Sequence, residues 1–163
     1  MKTPNDAEEL AAAGKCACGQ AALAAALGTS VADVLPFFPG PGLWVNDRRM
    51  RAAIESAGYH WAADGLPWPP EMAVVWIQGI GSWMRPGVPA GARNARTHWI
   101  ATTRTTRNER GHQMIYDINL GVWEPISFWK SLVLRPLLKE WKATDFECRS
   151  TLLVYPHRCP TAT

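Results

Sequence analysis

The sequence has no long apolar run. No stretch of about 18 uncharged apolar residues occurs, which is the length that a membrane-spanning helix needs. The first ten residues carry four charged side chains, and no apolar segment of signal-peptide length follows them. These absences predict a cytoplasmic chain with neither a leader nor a membrane partner.

The chain also lacks a strong excess of charge of one sign. Its 17 basic and 14 acidic residues leave a net charge of +3, which is less basic than a dedicated nucleic-acid binder usually is. Cysteine is scarce, at positions 16, 18, 148 and 159 only. In a chain without a signal peptide these are expected to be reduced thiols rather than disulfides.

What is present is typical of a folded domain. The 163 residues are 47% hydrophobic and 19% charged, which excludes a disordered composition. This length corresponds to one domain and can bury a core without covalent staples. We therefore expect a single domain over residues 1–163, with a flexible N-terminus over residues 1–10.

Helical patterns dominate the first half. An Ala-rich helix is predicted over residues 11–27, a short helix over 31–35 and an amphipathic helix over 47–57. Ser30 and Asn46 precede the second and third helices and are suited to cap them.

The second half has the pattern of a sheet. Its apolar, β-branched and aromatic runs predict strands over residues 72–77, 97–103, 113–118 and 151–155. A polar turn joins the middle two strands, which predicts an antiparallel hairpin. The spacing over 126–141 is helical, but Pro136 would break or kink a helix there. Helices followed by strands indicate an α+β fold, with N-terminal helices packed on an antiparallel sheet.

Cys18 is a candidate nucleophile because it lies near the predicted start of a helix. Backbone N–H groups and the helix dipole at such a position lower the pKa of a thiol and favour the thiolate. Gly19 would let a substrate approach the backbone. The alternative is that Cys18 is a small apolar side chain that fills an Ala-rich helix face.

The predicted hairpin supplies a base and a group to orient it. If paired residue numbers sum to 215, His98 lies opposite Asp117; if they sum to 217, His98 lies opposite Asn119. A carboxylate on one ring nitrogen would leave the other nitrogen for the thiol. The alternative is a half-buried histidine that is merely satisfied by a neighbouring carboxylate.

The order of these motifs resembles the papain-like cysteine peptidases, and in particular their C39-like branch. Residues 18–23 (CGQAAL) look like the nucleophile motif Cys-Gly-Pro-Ala-Ala-Leu of that branch, 97–100 (THWI) like its histidine strand and 116–119 (YDIN) like its aspartate strand. The resemblance implies a papain-like fold with Cys18 as nucleophile, His98 as base and Asp117 as orienter. It also implies acyl transfer from peptide or isopeptide bonds, a peptide or protein substrate, and neither metal nor cofactor.

One position departs from the family pattern. Papain-like enzymes usually carry a Gln about six residues before the nucleophile, where it donates to the oxyanion, and this chain has Ala12 there. Gln20 and Asn119 are the remaining candidates for an oxyanion donor or a second orienter. Loss of such a donor can cost about 10²–10³ in rate.

Substrate contacts are expected near the histidine strand. The Gly- and Pro-rich loop over residues 79–94 leads into that strand and could rim a cleft, with Trp83, Met84 and Trp99 as contact residues. Nine tryptophans are scattered along the chain, and exposed ones would mark a surface for a protein partner.

Two other sites are weighed and not favoured. The cysteine spacings do not match common zinc patterns, so no metal site is predicted. Six arginines cluster in sequence near Trp83 and Trp99 and could hold a nucleic-acid strand. A charged, solvated loop and hairpin edge explains them equally well and is the interpretation we favour. The arginines in question are Arg85, Arg93, Arg96, Arg104, Arg107 and Arg110.

Two functions remain open. The first is a cysteine peptidase-like thiol hydrolase. The second is a binding or phage-type structural protein on the same fold, with a vestigial site and a virion rather than a cytoplasmic location.

Overall fold

The computed structural model describes residues 2–40, 42–63, 72–93, 95–104 and 113–156. Its centre is a six-stranded sheet in the order β1-β6-β2-β3-β4-β5, in which every neighbouring pair is antiparallel. The strands are β1 (Tyr59–Ala63), β2 (Ala73–Ile80), β3 (Thr97–Arg104), β4 (Gln113–Asp117), β5 (Val122–Pro125) and β6 (Asp145–Pro156).

Helices cover both faces of the sheet. The helices are α1 (Ala7–Ala12), α2 (Cys18–Leu27), α3 (Val31–Val34), α4 (Asp47–Ser56), α5 (Ala90–Arg93), α6 (Ile126–Trp129) and α7 (Arg135–Trp141). A 3₁₀ turn follows α3 at Leu35–Phe37, and another occupies Ser82–Met84. Residues of α1 to α4 share a hydrophobic core with one face, and the segment from α6 to α7 shares a second core with the other.

The alternation of side chains along β2 separates these two cores. Val74 and Trp76 belong to the core with the N-terminal helices, whereas Ala73, Val75 and Ile77 belong to the core with the C-terminal helices. Because neighbouring residues of a strand point to opposite faces, an almost continuously apolar strand is what burial on both sides requires. The α+β class is confirmed, and the second helical layer is an addition to the predicted arrangement.

The Ala-rich sequence of α2 suits its position in the core. Residues 19–26 of this helix are all buried, and the helix contacts β3, β4, α3 and α4. Small side chains permit this close approach on several sides. Gly28 ends the helix in the left-handed conformation with φ of +68°, as predicted for a glycine after the last helical residue.

The predicted helix over residues 11–27 is wrong at its start, because the chain forms two helices there. Gly14 has φ of +64°, and the amide groups of Ala13, Gly14 and Lys15 close the turn after α1. A positive φ interrupts a right-handed helix, and glycine adopts it without steric cost.

Residues 2–6, in the segment where a flexible N-terminus is predicted, make contacts with the rest of the fold. The two carboxylate oxygens of Asp6 accept from the backbone N–H groups of Val31 and Ala32, both at 2.8 Å. They thereby satisfy the free donors at the start of α3. The indole of Trp123 donates to the carbonyl of Lys2 at 3.1 Å. These contacts tie the N-terminal segment to α3 and β5.

Pro136 widens the C-terminal helix without ending it. The segment from α6 to α7 is continuous, and a π turn over Lys130–Leu134 joins its two α-helical parts. The N–H of Arg135 donates to the carbonyl of Lys130, five residues earlier. Proline has no N–H and clashes with the carbonyl four residues before it, so a wider turn at this point relieves the clash.

Two of the six strands have no counterpart in the sequence prediction. These are β1 and β5, the two edges of the sheet, which mix polar and apolar side chains. The predicted last strand over residues 151–155 is also too short, because β6 begins at Asp145 with a largely exposed, polar half.

Among the described residues, no single helix has the length and apolar character to cross a membrane. One pair of helical segments, Cys18–Leu27 and Val31–Phe37, meets the length and composition criteria together but is bent by 100°.

We expect Gly19→Ala to destabilise the protein by about 1 kcal/mol, because overpacking costs about 1–3 kcal/mol and the gain in helix propensity is only about 1 kcal/mol. A Cβ at this position would lie 2.7 Å from Cβ of Val45, an atom that cannot rotate away. Urea unfolding measures the effect. Gly91→Ala in α5, where a Cβ meets nothing within 4 Å, is the matched control and should not destabilise. A stabilised Gly19→Ala variant would contradict the packing argument.

Candidate active site

Three side chains of different elements meet at one end of the sheet. Cys18 is the first residue of α2, His98 the second residue of β3 and Asp117 the last residue of β4. The start of α2 therefore meets the start of β3 beside the end of β4. Residues far apart in sequence, which the sequence singled out as nucleophile, base and orienter, come together here.

His98 and Asp117 form a direct pair. Nε2 of His98 lies 2.9 Å from Oδ1 of Asp117, and the two residues are 7% and 1% exposed. The strand register is Ala101 opposite Tyr116, a sum of 217, so the register with a sum of 215 is wrong. Asp117 nevertheless reaches His98 along the diagonal, where side chains on one face remain within reach.

Asn119 therefore does not take the orienting position. β4 ends at Asp117, and a tight turn follows in which the amides of Leu120 and Gly121 donate to the Asp117 carbonyl at 3.0 Å. The backbone N–H of Asn119 donates to Oδ1 of Asp117 at 2.9 Å. Asn119 thus helps to hold the carboxylate through its backbone, while its exposed side chain lines the cavity described below.

Trp129 is a site residue that the sequence analysis missed. Its indole Nε1 donates to Oδ2 of Asp117 at 2.8 Å, and the whole residue is buried in α6. A buried tryptophan needs an acceptor for its N–H, but the sequence does not indicate which one. With His98 and the Asn119 amide, Trp129 supplies the third donor that fixes the carboxylate.

The thiol of Cys18 lies at the junction of α2 and β3. The backbone N–H of Trp99 donates to its Sγ at 3.5 Å. The side chain of His98 is near enough to lower the pKa of the thiol. Because Nε2 of His98 is engaged by Asp117, the ring nitrogen that remains for the thiol is Nδ1. This is the geometry of a nucleophile, a base and an orienter in series.

The charges of these groups shift their pKa values in directions that favour an ion pair. Burial opposes ionisation of Cys18, but the charge and hydrogen bond of His98 and the Trp99 amide lower the pKa of this thiol below its ordinary value. Burial likewise disfavours charged His98, but Cys18 and Asp117 raise its pKa to about 10. Asp117 is buried too, and its hydrogen bond with His98 holds its pKa below the usual range.

These shifts predict a plateau in stability against pH. The raised pKa of His98 stabilises the fold fully below its ordinary value of 6.5, and this contribution is lost as pH rises towards about 10. The lowered pKa of Cys18 stabilises the fold above its ordinary value of 9.0, and this contribution is lost as pH falls. Wherever between these two ordinary values Cys18 is the thiolate in the native state, each state binds one proton on the pair, so stability should not change there.

The measurement is the melting temperature of the wild type minus that of Cys18→Ala/His98→Gln at each pH. We expect this difference to be flat in the range up to about pH 9 in which Cys18 is the thiolate, and to fall towards pH 10 as His98 loses its proton. A difference that increases above pH 9 would contradict the charged pair.

A cavity of about 640 Å³ opens in front of the thiol. Cys18, His98 and Asn119 line it, together with small residues of α1 and apolar residues of α7. Trp141 forms part of the wall. Its ring packs on Gly79 of β2, where a Cβ would lie 2.8 Å from the indole. The cavity therefore lies between the two helical layers, beyond the end of the sheet.

Gln20 has a structural position away from this cavity. Its Oε1 accepts from the N–H of Ala17 at 3.1 Å, and its Nε2 donates to the carbonyl of Leu43 at 3.1 Å. The first contact is half of a capping box, since Ala17 has no side-chain oxygen to complete it. Gln20 is buried and does not line the cavity, so it closes the start of α2 instead of providing an oxyanion donor.

The predicted cleft residues Trp83, Met84 and Trp99 do not line the cavity either. Trp99 is buried, its ring stacks on Trp76 at a centroid distance of 5.6 Å, and its Nε1 donates to the carbonyl of Val45. Only its backbone takes part in the site. Trp83 is buried beneath the guanidinium of Arg96, while Met84 is partly exposed.

The tryptophans do not form an exposed surface in the described part of the chain. Trp44 is the most exposed of the described tryptophans, at 52%. Trp68 lies outside the described residues. A protein partner that binds through a tryptophan-rich surface therefore has no support from the described residues.

Among the residues that the structure describes, no three His, Cys, Asp or Glu side chains are grouped to hold a metal. Cys16 is buried, with its thiol 3.5 Å from the Ala7 carbonyl, and Cys148 is exposed. Cys159 lies outside the described residues, as do Arg107 and Arg110. Arg96 binds within the fold, donating to the Trp141 carbonyl at 3.1 Å.

No protein-family model, curated protein or solved structure matches this chain. The function therefore has to be inferred from the geometry of the site.

Proposed function

We propose that the protein is a papain-like thiol hydrolase, similar to the C39-like peptidases, that cleaves peptide or isopeptide bonds. The observation that carries this proposal is the series of Cys18, His98 and Asp117 at the mouth of a cavity. His98 and Asp117 are buried, and Cys18 is partly exposed at the start of a helix. A histidine that only satisfied a neighbouring carboxylate would not need a thiol beside it at the mouth of a cavity.

The reaction needs only groups of this chain and water. The Cys18 thiolate attacks the carbonyl carbon, and a C–S bond forms as the carbonyl electrons move to oxygen. Charged His98 gives its proton to the leaving amine as the C–N bond breaks, leaving a thioester on Cys18. Neutral His98 then takes a proton from water, the hydroxide attacks the thioester, and Cys18 leaves as the thiolate.

The oxyanion is stabilised at the start of α2. The first backbone N–H groups of a helix have no partner within it, and the helix dipole favours negative charge there. The amide of Asn119 lines the same cavity and supplies a second donor. These groups take the place of the Gln that papain-like enzymes carry upstream, at the position of Ala12 in this chain.

Acyl transfer from p-nitrophenyl acetate tests the proposal. We expect a burst of about one nitrophenolate per chain, an acetyl group on Cys18 by mass spectrometry and slower turnover afterwards. The burst should persist in Cys148→Ser, since Cys148 is exposed in β6 and does not line the cavity. It should disappear in Cys18→Ala.

Acetylation of Cys148 as fast as Cys18, or a burst that survives Cys18→Ala, would overturn the proposal. The second candidate function, a non-catalytic binding or phage-type assembly protein, would then be favoured. Its specific support is Ala12 in place of the upstream Gln, together with the structural use of Gln20.

A further inference from the structure

Two acidic residues from different helices line the cavity. Glu8 of α1 and Glu140 of α7 both line it, whereas none of the described Lys or Arg residues does. Both glutamates are exposed, and within the described part of the chain neither takes part in an ion pair. The mouth of the candidate active site is therefore negative on both helical walls.

The cavity continues as a groove along the C-terminal helix. A second depression shares Asn119, Leu137 and Glu140 with the first and extends to Leu132. A third depression shares Leu132 and reaches Phe128. Leu132 and Phe128 are 56% and 58% exposed, although both are large and apolar. A groove of this length fits an extended chain better than it fits a small molecule.

We infer that the site accepts a polypeptide segment with a basic side chain next to the cleaved bond, held between Glu8 and Glu140. This inference rests on the proposed function and names its substrate class. The walls suit a long cationic side chain because Ala11 and Ala12 leave room on one side, and Leu137 and Trp141 offer apolar surface for its methylene stem.

The cavity is small enough for the carboxylates of Glu8 and Glu140 to act on a charged group inside it at ordinary ionic strength. The cube root of 640 Å³ is about 9 Å, which is shorter than the Debye length of about 10 Å at 0.1 M ionic strength. Two carboxylates at this range attract a cationic reagent and repel an anionic one. The ratio of the two labelling rates therefore contains both the attraction and the repulsion. A ratio of rates for matched cationic and anionic reagents is thus a sensitive readout.

The probes are the cation 2-aminoethyl methanethiosulfonate and the anion 2-sulfonatoethyl methanethiosulfonate, applied to the full chain with Cys148 and Cys159 replaced by Ser. In both reactions the Cys18 thiolate attacks the sulfenyl sulfur, a mixed disulfide forms and methanesulfinate leaves. We expect the ratio of the cation rate to the anion rate to fall about tenfold in Glu8→Gln/Glu140→Gln. The wild-type ratio should also fall in 1 M salt.

Glu9→Gln/Glu55→Gln is the matched control, because it changes the net charge equally at exposed positions that do not line the cavity. Its ratio should equal that of the wild type. An unchanged ratio in the Glu8 and Glu140 variant, while neutral iodoacetamide still labels Cys18 selectively, would overturn this inference alone. Failure of iodoacetamide to label Cys18 selectively would instead overturn the proposed function on which it rests.

Discussion

Replacing His98 by Ala is expected to make the alkylation of Cys18 by iodoacetamide depend strongly on pH. In the wild type the rate should change less between pH 6 and 8, because His98 and the Trp99 amide lower the pKa of Cys18 and the thiolate forms at lower pH. Without His98, burial dominates and raises the pKa of the thiol. The thiolate fraction of a thiol with a pKa above about 8.5 rises about 10²-fold between pH 6 and 8, and the rate should follow it.

The slope against pH is a better measure than the rate at one pH. A more basic thiolate is also a stronger nucleophile, which offsets part of the loss of thiolate at any single pH. Labelling with limiting reagent, mapped by mass spectrometry, gives the rate for each cysteine separately. His60→Ala is the control, since His60 is exposed in β1 and does not line the cavity. A wild-type profile as steep as that of His98→Ala would show that the two side chains are not coupled.

Replacing Asp117 by Ala is expected to destabilise the protein by about 3–5 kcal/mol, the range for breaking a buried charged pair by removing one partner. Asp117 is 1% exposed and accepts from Nε2 of His98, the N–H of Asn119 and Nε1 of Trp129. The Ala variant leaves these donors without their acceptor. Urea unfolding at pH 7 measures the loss, with the slope of the transition as a check on two-state behaviour.

Two further variants separate the parts of this network. Asp117→Asn retains the volume and one acceptor oxygen, and we expect a smaller loss of about 1–3 kcal/mol because one donor then faces an NH₂ group. The donor that faces the NH₂ group is Nε1 of Trp129, which binds Oδ2 of Asp117 in the wild type. Trp129→Phe removes this N–H and keeps an aromatic ring in the core. The double variant should therefore cost less than the sum of the two single losses. Additive losses, or a cost below about 1 kcal/mol for Asp117→Ala, would contradict the role of Asp117 as the common acceptor.

Much of the local structure could be predicted from the sequence because its signals act over a few residues. Ser30 accepts from the N–H of Asp33, and Asn46 accepts from the N–H of Arg49 at 2.8 Å, as expected of helix caps. Strands β2, β3 and β4 have the predicted positions to within a few residues. The edge strands β1 and β5 escaped prediction because half-exposed strands carry no strong apolar pattern.

The candidate site was only partly accessible to sequence reasoning. Cys18, His98 and Asp117 could be named from their residue types and predicted elements, but the register between β3 and β4 could not be decided. The structure has the register that places Asn119 opposite His98, and yet Asp117 is the partner. The end of β4 and the turn after it decide this, since they direct the Asp117 carboxylate towards His98.

The sequence by itself determined the helix caps, the central strands and the three side chains suited to nucleophilic chemistry, because each depends on local conformation or on the chemistry of one residue. Only the tertiary structure decided that Trp129 binds Asp117, that Gln20 binds backbone groups and that Glu8 and Glu140 line the same cavity. These relations join residues up to 132 positions apart, as between Glu8 and Glu140. Such distant partners are selected by the packing of both helical layers on one sheet, which no local pattern encodes.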